Sequence, residues 1–288
     1  GKRNFGASLY FSETKRNDSG FFNSSIKINL TGTAYAKARY FNTIKIYYSS
    51  NSDSSFIDYH FLKDSTVSKK LKKGSTYNSI SFKTRPGLKS FLFKIRSNSE
   101  VKINGASFEN TYGIQADNFA VRGSGGLEFF KPDKNSILSM MNVLSPDLII
   151  LQYGVNIVPS EYESYKFYEN ALYKQLLYLK HISKNTPILI AGVSDMGKIK
   201  NKEVWPYKST EKVREAQKNA AFRAGCAFWD TYSAMGGSNS IEKWVNHNPS
   251  LATKDYTHFT YRGSLIIAEM LSKAIYDNYK KLNKLLKY

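Results

Sequence analysis

An aspartate and a histidine three residues apart are the strongest chemical signal in the sequence. They are Asp255 and His258, in the segment 254–263 that precedes the last predicted helix. In a turn or a first helical turn, this spacing lets the carboxylate accept a hydrogen bond from the imidazole Nδ1–H, which leaves Nε2 free to deprotonate a serine hydroxyl. The pair therefore predicts nucleophilic catalysis, although an Asp–His pair is also found as an ordinary surface hydrogen bond.

The other histidines and the single cysteine give no such signal. His60 lies in a predicted strand, His181 ends a predicted helix and His247 lies in a loop with a proline, so we expect structural roles for them. No group of His, Asp and Glu has metal-ligand spacing, and the lone Cys226 excludes a cysteine-rich zinc site and an internal disulfide. We therefore expect no metal and no organic cofactor.

Two short segments that contain glycine follow predicted strands. Residues 148–153 precede Gly154-Val155-Asn156, and residues 114–121 precede a segment that contains Gly123-Ser124-Gly125-Gly126. The residues after parallel strands meet at the carboxyl edge of a sheet, where an Asn amide or a glycine N–H can stabilise an oxyanion. Each segment alone can equally be a simple turn. The second lacks the Lys-Ser/Thr ending of a P-loop, which argues against a nucleotide site.

The hydrophobic pattern changes near residue 112. Before it, apolar residues alternate with polar ones in short stretches separated by Ser, Asn, Asp and Gly clusters, which predicts an antiparallel sandwich or jelly roll. The clearest of these stretches are 26–30, 43–47, 90–95 and 101–103. We therefore expect an all-β domain over residues 1–112.

After residue 112 the pattern alternates between buried strands and helices. Residues 148–153 and 188–193 are predicted as central parallel strands, and Tyr165, Tyr168, Leu172, Leu176 and Leu179 recur between them at helical spacing. Further helices are predicted over 210–224 and 264–286. This order predicts a doubly wound α/β domain over residues 113–288.

The chain is strongly basic, and unevenly so. Its 288 residues are 41% hydrophobic, which excludes disorder, and its net charge is +19. Residues 1–112 hold 19 Lys and Arg against 7 Asp and Glu, a net charge of +12. This excess favours a nucleic acid or an anionic polymer such as a cell-wall glycan with peptide carboxylates, or serves solubility alone. The lysine run at 69–73 lies in no recognisable nucleic-acid module, so we expect no nucleic-acid partner. No apolar run approaches the roughly 18 residues of a membrane span.

The three segments, in this order, resemble the SGNH or GDSL-type serine hydrolases. The resemblance rests on Gly123-Ser124-Gly125-Gly126, Gly154-Val155-Asn156 and Asp255-Tyr256-Thr257-His258. A further stretch resembles the cell-wall subgroup that contains the peptidoglycan O-acetylesterases. It comprises Ala227-Phe228-Trp229-Asp230, Tyr232, Met235-Gly236-Gly237 and Trp244. In that subgroup a β domain that resembles a carbohydrate-binding module is inserted after the segment with the nucleophilic serine. Residues 1–112 would correspond to that inserted domain.

The resemblance implies a three-layer SGNH hydrolase domain with a flavodoxin-like parallel sheet, and an esterase that removes O-acetyl groups from peptidoglycan. It implies Asp255 and His258 as catalytic partners of a serine. Gly125 and Asn156 would be the oxyanion donors, with Gly123 as the alternative glycine. The partners implied are O-acetylated glycan strands, and the location implied is the periplasm or cell envelope.

The sequence departs from the family in one respect, because it contains no Gly-Asp-Ser. Gly6-Ala7-Ser8 is the nearest match but lacks the acidic residue, and Ser124 lies in the segment already matched to the glycine block. We expect the nucleophile on a preceding segment of the same protein, upstream of Gly1. That segment would supply a strand between residues 114–121 and 148–153. The alternatives are an O-acetyltransferase on the same scaffold and a catalytically inactive glycan-binding module.

Overall fold

A computed structural model describes residues 12–18, 20–29, 40–62, 65–85, 90–119, 123–128, 133–184 and 186–285. Gly6, Ala7 and Ser8 lie outside the described residues. The chain forms two compact units, of which the first comprises Gly1–Ala120 with Lys131–Ser145 and the second Val121–Phe130 with Pro146–Tyr288. The domain boundary at residue 112 stays a prediction.

The first unit contains two antiparallel sheets that share one core. Its strands are β1 (Ser12–Glu13), β2 (Lys15–Arg16), β3 (Phe22–Asn29), β4 (Thr43–Ser50), β5 (Ser55–Leu62), β6 (Ser65–Lys70), β7 (Gly74–Lys83), β8 (Ser90–Ser97) and β9 (Val101–Glu109). One sheet has the order β1-β9-β4-β7 and the other the order β2-β3-β8-β5-β6. Both sheets contribute to one buried cluster, which includes Ile44, Ile46, Ile57, Tyr59, Phe91 and Phe93. The predicted antiparallel β architecture is therefore confirmed for this part of the chain.

A helix that the sequence pattern did not predict packs on the four-stranded sheet. Helix α1 (Lys134–Leu144) begins after Asp133, whose carboxylate accepts a hydrogen bond from the Ser136 N–H at 2.7 Å. Its apolar side pairs with two buried tyrosines, Tyr47 and Tyr77. A segment well beyond residue 112 thus belongs to the first unit.

The second unit is a mixed α/β structure around a short parallel sheet. Its strands are β10 (Ile149–Gln152), β11 (Ile188–Ala191), β12 (Gly197–Lys200), β13 (Glu203–Pro206) and β14 (Ala227–Trp229). Its helices are α2 (Lys166–Ile182), α3 (Ser209–Arg223), α4 (Thr231–Met235), α5 (Ser240–Asn246) and α6 (Tyr261–Leu285). The parallel sheet has the order β10-β11-β14, and β12 and β13 form a hairpin. The predicted mixture of parallel strands and helices is confirmed.

Two of the predicted strands differ from the structure. Residues 114–119 form no strand, and Ile114 is 99% exposed. No described strand pairs with this segment, and its Asp117 and Asn118 have low strand propensity, so its backbone gains no ladder of hydrogen bonds. Strand β11 is central, as predicted, but β10 is at the edge because β11 is its only partner among the described residues.

No helix in the described part of the chain is long and apolar enough to cross a membrane.

Candidate active site

Asp255 and His258 form a hydrogen-bonded pair, as their spacing predicts. The Nδ1 atom of His258 lies 2.7 Å from Oδ2 of Asp255. Because a carboxylate can only accept, Nδ1 carries the proton and Nε2 of the neutral ring has a free lone pair. Nε2 has no hydrogen-bond partner among the described residues, and 72% of the His258 side chain is exposed. The imidazole is therefore oriented and able to take a proton.

The Asp255 carboxylate is held by its own loop. Its Oδ1 accepts hydrogen bonds from the hydroxyl of Thr253 at 2.6 Å and from the N–H groups of Thr257 and His258 at 3.0 Å each. Partial burial acts to raise the pKa of Asp255. The donated hydrogen bonds outweigh burial and hold that pKa well below its usual range. Asp255 is therefore ionised wherever an adjacent imidazole would act as a base.

The loop is tied to the rest of the second unit at both ends. The Tyr256 carbonyl accepts a hydrogen bond from the Gly197 N–H at 2.9 Å, just after the loop that leaves β11. At the start of α6, Gly263 packs directly against the backbone of Leu251, and its N–H donates to the Thr260 hydroxyl at 3.2 Å. These contacts fix the position of the Asp–His pair relative to the sheet.

Asn156 lies against the glycine block. Its Nδ2 donates a hydrogen bond to the carbonyl of Ser124 at 3.0 Å. The amide has two N–H bonds, and the second has no partner among the described residues. The structure thus brings the Gly-x-Asn segment and the glycine block together, as a shared oxyanion site requires.

The glycine block is anchored through side chains, whereas the N–H groups of Gly123, Ser124 and Gly125 have no partner among the described residues. The buried hydroxyl of Tyr168 donates to the carbonyl of Gly125 at 3.1 Å, and the buried hydroxyl of Ser124 donates to Glu128. The Gly126 N–H donates to the Ser124 hydroxyl at 3.0 Å. The buried N–H of Gly125 has no partner among the described residues. The Gly125 N–H is therefore available as a donor, whereas the hydroxyl proton of Ser124 is engaged by Glu128.

Gln217 on α3 links the ends of two neighbouring strands. Its Nε2 donates to the Tyr153 carbonyl after β10 at 2.9 Å, and its Oε1 accepts from the Val193 N–H after β11 at 2.8 Å. Only glycine fits at position 154, directly after Tyr153. Its φ is +117°, and a Cβ there would lie 2.8 Å from Nε2 of Gln217. Sequence reasoning missed Gln217 because a polar residue on a helix usually indicates a solvent-facing position. The only feature of the sequence that indicates a buried Gln217 is its spacing from Val213 and Ala220, which places all three residues on the apolar face of α3.

Both halves of the candidate site thus attach to the carboxyl edge of the parallel sheet. Asn156 follows β10, and the Asp–His loop is hydrogen-bonded to the segment that follows the adjacent strand β11. Ligands of open α/β sheets bind at this edge.

The stretch after β14 has a structural role. Asp230 caps α4 by accepting from the Ser233 N–H at 3.1 Å, and its carboxylate is bound by Arg214 of α3. Burial acts to raise the pKa of Asp230, but the Arg214 guanidinium and the hydrogen bonds from Ser233 together outweigh burial and lower that pKa. The motif therefore joins β14, α3 and α4.

The remaining histidines take no part in this arrangement. His60 Nδ1 pairs with the hydroxyl of Thr66 at 2.9 Å in the first unit, and His247 Nδ1 donates to the Pro249 carbonyl at 2.9 Å. His181 lies on α2. Among the residues that the structure describes, no cluster of three or more His, Cys, Asp and Glu side chains is arranged to hold a metal ion.

Comparison with solved structures shows that this architecture is shared. A peptidoglycan O-acetylesterase structure matches with a TM-score of 0.68 at 17% identity, covering 92% of this chain and 79% of the other. A GDSL-like lipase from Bacteroides thetaiotaomicron VPI-5482 matches with a TM-score of 0.38 at 19% identity, covering 54% of this chain and 73% of the other. The second likeness is too weak to support an argument. No protein-family model and no curated protein matches the sequence. The chain therefore shares its fold with a peptidoglycan O-acetylesterase structure.

Proposed function

We propose that this chain carries the Asp–His and oxyanion parts of a serine esterase that removes O-acetyl groups from peptidoglycan. One observation carries the proposal: Asp255 holds His258 by Nδ1 and leaves Nε2 exposed and unpartnered among the described residues. This is how the base of a serine hydrolase is presented. The fold shared with a peptidoglycan O-acetylesterase supports the choice of substrate. Because peptidoglycan belongs to the cell envelope, the proposed substrate implies activity there.

The nucleophilic serine would lie on a segment that precedes Gly1 and pairs with the free edge of β10. Strand β10 has an apolar sequence typical of a strand covered on both faces, yet Ile150 is 46% exposed. Its outer backbone groups have no strand partner among the described residues. A parallel strand added there would satisfy those groups and would end at the carboxyl edge, beside Asn156.

The proposed reaction proceeds in two steps. The serine oxygen attacks the acetyl carbonyl while Nε2 of His258 accepts the hydroxyl proton, and the ionised Asp255 stabilises the resulting imidazolium. The Gly125 N–H and the free amide hydrogen of Asn156 stabilise the tetrahedral oxyanion. The C–O bond to the sugar breaks as the imidazolium returns its proton to the sugar oxygen. Water, deprotonated by His258, then attacks the acetyl-serine carbonyl. The bond between the acetyl carbon and the serine oxygen breaks as the imidazolium returns its proton to the serine, and acetate leaves.

The test is acetate release from O-acetylated peptidoglycan by the intact enzyme. His258→Ala should lower kcat by at least about 10³-fold, because the serine loses its base. The matched control is His181→Ala, which removes an exposed histidine from α2 in the same unit and should keep wild-type activity. Near-wild-type acetate release by His258→Ala would refute the proposal. Acetylation of an added glycan in place of acetate release would indicate the transferase instead.

A further inference from the structure

The five-stranded sheet of the first unit has one apolar face and one basic face. Residues that pair across neighbouring strands point to the same face. One such row runs across the whole sheet and contains Lys15, Asn23, Arg96, Phe56 and Lys70. The next two rows on the same face contain Ser25, Lys94, Asp58 and Ser68, and then Lys27, Leu92, His60 and Thr66.

The opposite face of this sheet is committed to the core. Ile57, Tyr59, Phe93 and Ile95 alternate with the residues of the basic face and lie in the buried cluster between the two sheets. The basic face therefore points away from the core. Its lysines at positions 15, 27, 70 and 94 are all exposed.

Among the described residues, the positive charge of this face is almost entirely unneutralised. Its one acidic residue, Asp58, is bound by Arg96 through two hydrogen bonds, of 2.7 Å and 3.0 Å. Those bonds, made by Arg96, lower the pKa of Asp58, which keeps the carboxylate ionised and matched to the guanidinium. None of the four lysines forms an ion pair among the described residues. The face thus has four free positive charges on a surface about 19 Å wide, at about 4.8 Å per strand.

We propose that this basic face binds the peptide carboxylates of peptidoglycan. The proposal rests on the substrate class proposed above, and concerns residues of the first unit, none of which belongs to the Asp–His pair. Lysines are flexible point charges that match dispersed carboxylates, and several weak contacts along one polymer add up to useful binding. Free arginines and exposed aromatic rings would favour nucleic acid. Here the arginine is engaged by Asp58, and its guanidinium lies over the half-buried Phe56 ring, 5.6 Å from its centroid.

The experiment is sedimentation of this chain with insoluble peptidoglycan at low ionic strength. The test variant carries Lys27→Gln, Lys70→Gln and Lys94→Gln. The matched control carries Lys174→Gln, Lys243→Gln and Lys281→Gln, which remove the same charge from exposed sites of the second unit. We expect the test variant to bind at least about tenfold more weakly than the wild type, and the control to bind like the wild type. Equal weakening of both variants would overturn the proposal.

Two further arms identify the ligand. Removing the stem peptides with an amidase should weaken wild-type binding to the level of the test variant, and unchanged binding would overturn the assignment to carboxylates. If this chain bound a DNA duplex as tightly as peptidoglycan, and the test variant lost the same fraction of that affinity, the proposed ligand would be wrong and nucleic acid would replace it. In the intact enzyme, the three substitutions should leave hydrolysis of a small soluble acetyl ester unchanged. Failure of the binding proposal is thereby distinguished from failure of the esterase proposal.

Discussion

At the scale of single residues, the Asp–His pair is assembled by local contacts. Half of the Asp255 side chain is exposed, yet its carboxylate receives hydrogen bonds from Thr253, Thr257 and His258, all within six residues of sequence. Burial therefore contributes little to orienting the imidazole. The pair is preorganised by its own loop, which is what a base needs before the substrate arrives.

Asn156→Ala tests the proposed oxyanion site. Losing one oxyanion donor should lower kcat for acetyl-ester hydrolysis about 10²–10³-fold, while KM changes little because the oxyanion forms only in the transition state. Steady-state kinetics of the intact enzyme give both values. Asn170→Ala is the control, because Asn170 also makes a surface hydrogen bond in the second unit, to Arg223. An unchanged kcat in Asn156→Ala would assign this amide only to holding the Ser124 carbonyl.

The Asp–His pair can be predicted from the sequence, whereas the residues that support the site cannot. The Asp255–His258 contact follows from a spacing of three, since neighbours in one turn must meet. Tyr168 and Gln217 bond to backbone carbonyls 43 and 64 residues away in sequence, so no local pattern reveals them. The pairing of Asn156 with Ser124 is likewise long-range. The expected strands brought both blocks only to the same edge of the sheet, and the resemblance to a family placed them in one site.

At the scale of elements, α6 and the Asp–His loop are locked together by a close backbone approach. Gly263 lies in the first turn of α6, and a Cβ there would lie 2.8 Å from the carbonyl carbon of Leu251 and closer still to its oxygen. The Thr260 N–H donates to the same carbonyl at 3.0 Å. Only a glycine allows the helix to begin at this distance from the loop.

Gly263→Ala should therefore destabilise the second unit by about 1–3 kcal/mol, the usual cost of overpacking. Elsewhere in a helix, replacing glycine by alanine stabilises, so the sign of the effect is informative. Chemical denaturation gives the free energy of unfolding. Gly105→Ala is the control, because its Cβ would meet only Tyr47, at an ordinary 3.9 Å. A Gly263→Ala protein as stable as the wild type would show that the helix and loop do not need this approach.

Elements with strong periodicity were predictable, and those that depend on a partner were not. Helices α2 and α3 follow from apolar repeats that one face of each helix buries, and strand β11 follows from a continuous apolar run that is buried on both faces. Helix α6 also follows from its apolar repeat, although it buries only Gly263 and Ile267. Helix α1 is rich in Ser and Asn, and its helical form depends on packing against Tyr47 and Tyr77. Residues 114–119 show the reverse case. Their pattern predicts a strand, but they form none because no described strand pairs with them.

At the scale of the whole molecule, the two units interleave along the chain. The glycine block belongs to the second unit, although α1, which follows it, packs with the first. The short parallel sheet of the second unit then ends at β10, whose outer edge has no strand partner among the described residues. The central claim is that a strand with the nucleophilic serine completes this edge.

The most direct test is to locate the reactive serine in the intact natural protein. A fluorophosphonate probe labels an activated serine, and peptide mass spectrometry identifies the residue. We predict one labelled serine on a segment that precedes Gly1, with labelling lost in His258→Ala and retained in His181→Ala. Label on Ser124 or on any other serine of residues 1–288, or labelling that survives His258→Ala, would contradict the account.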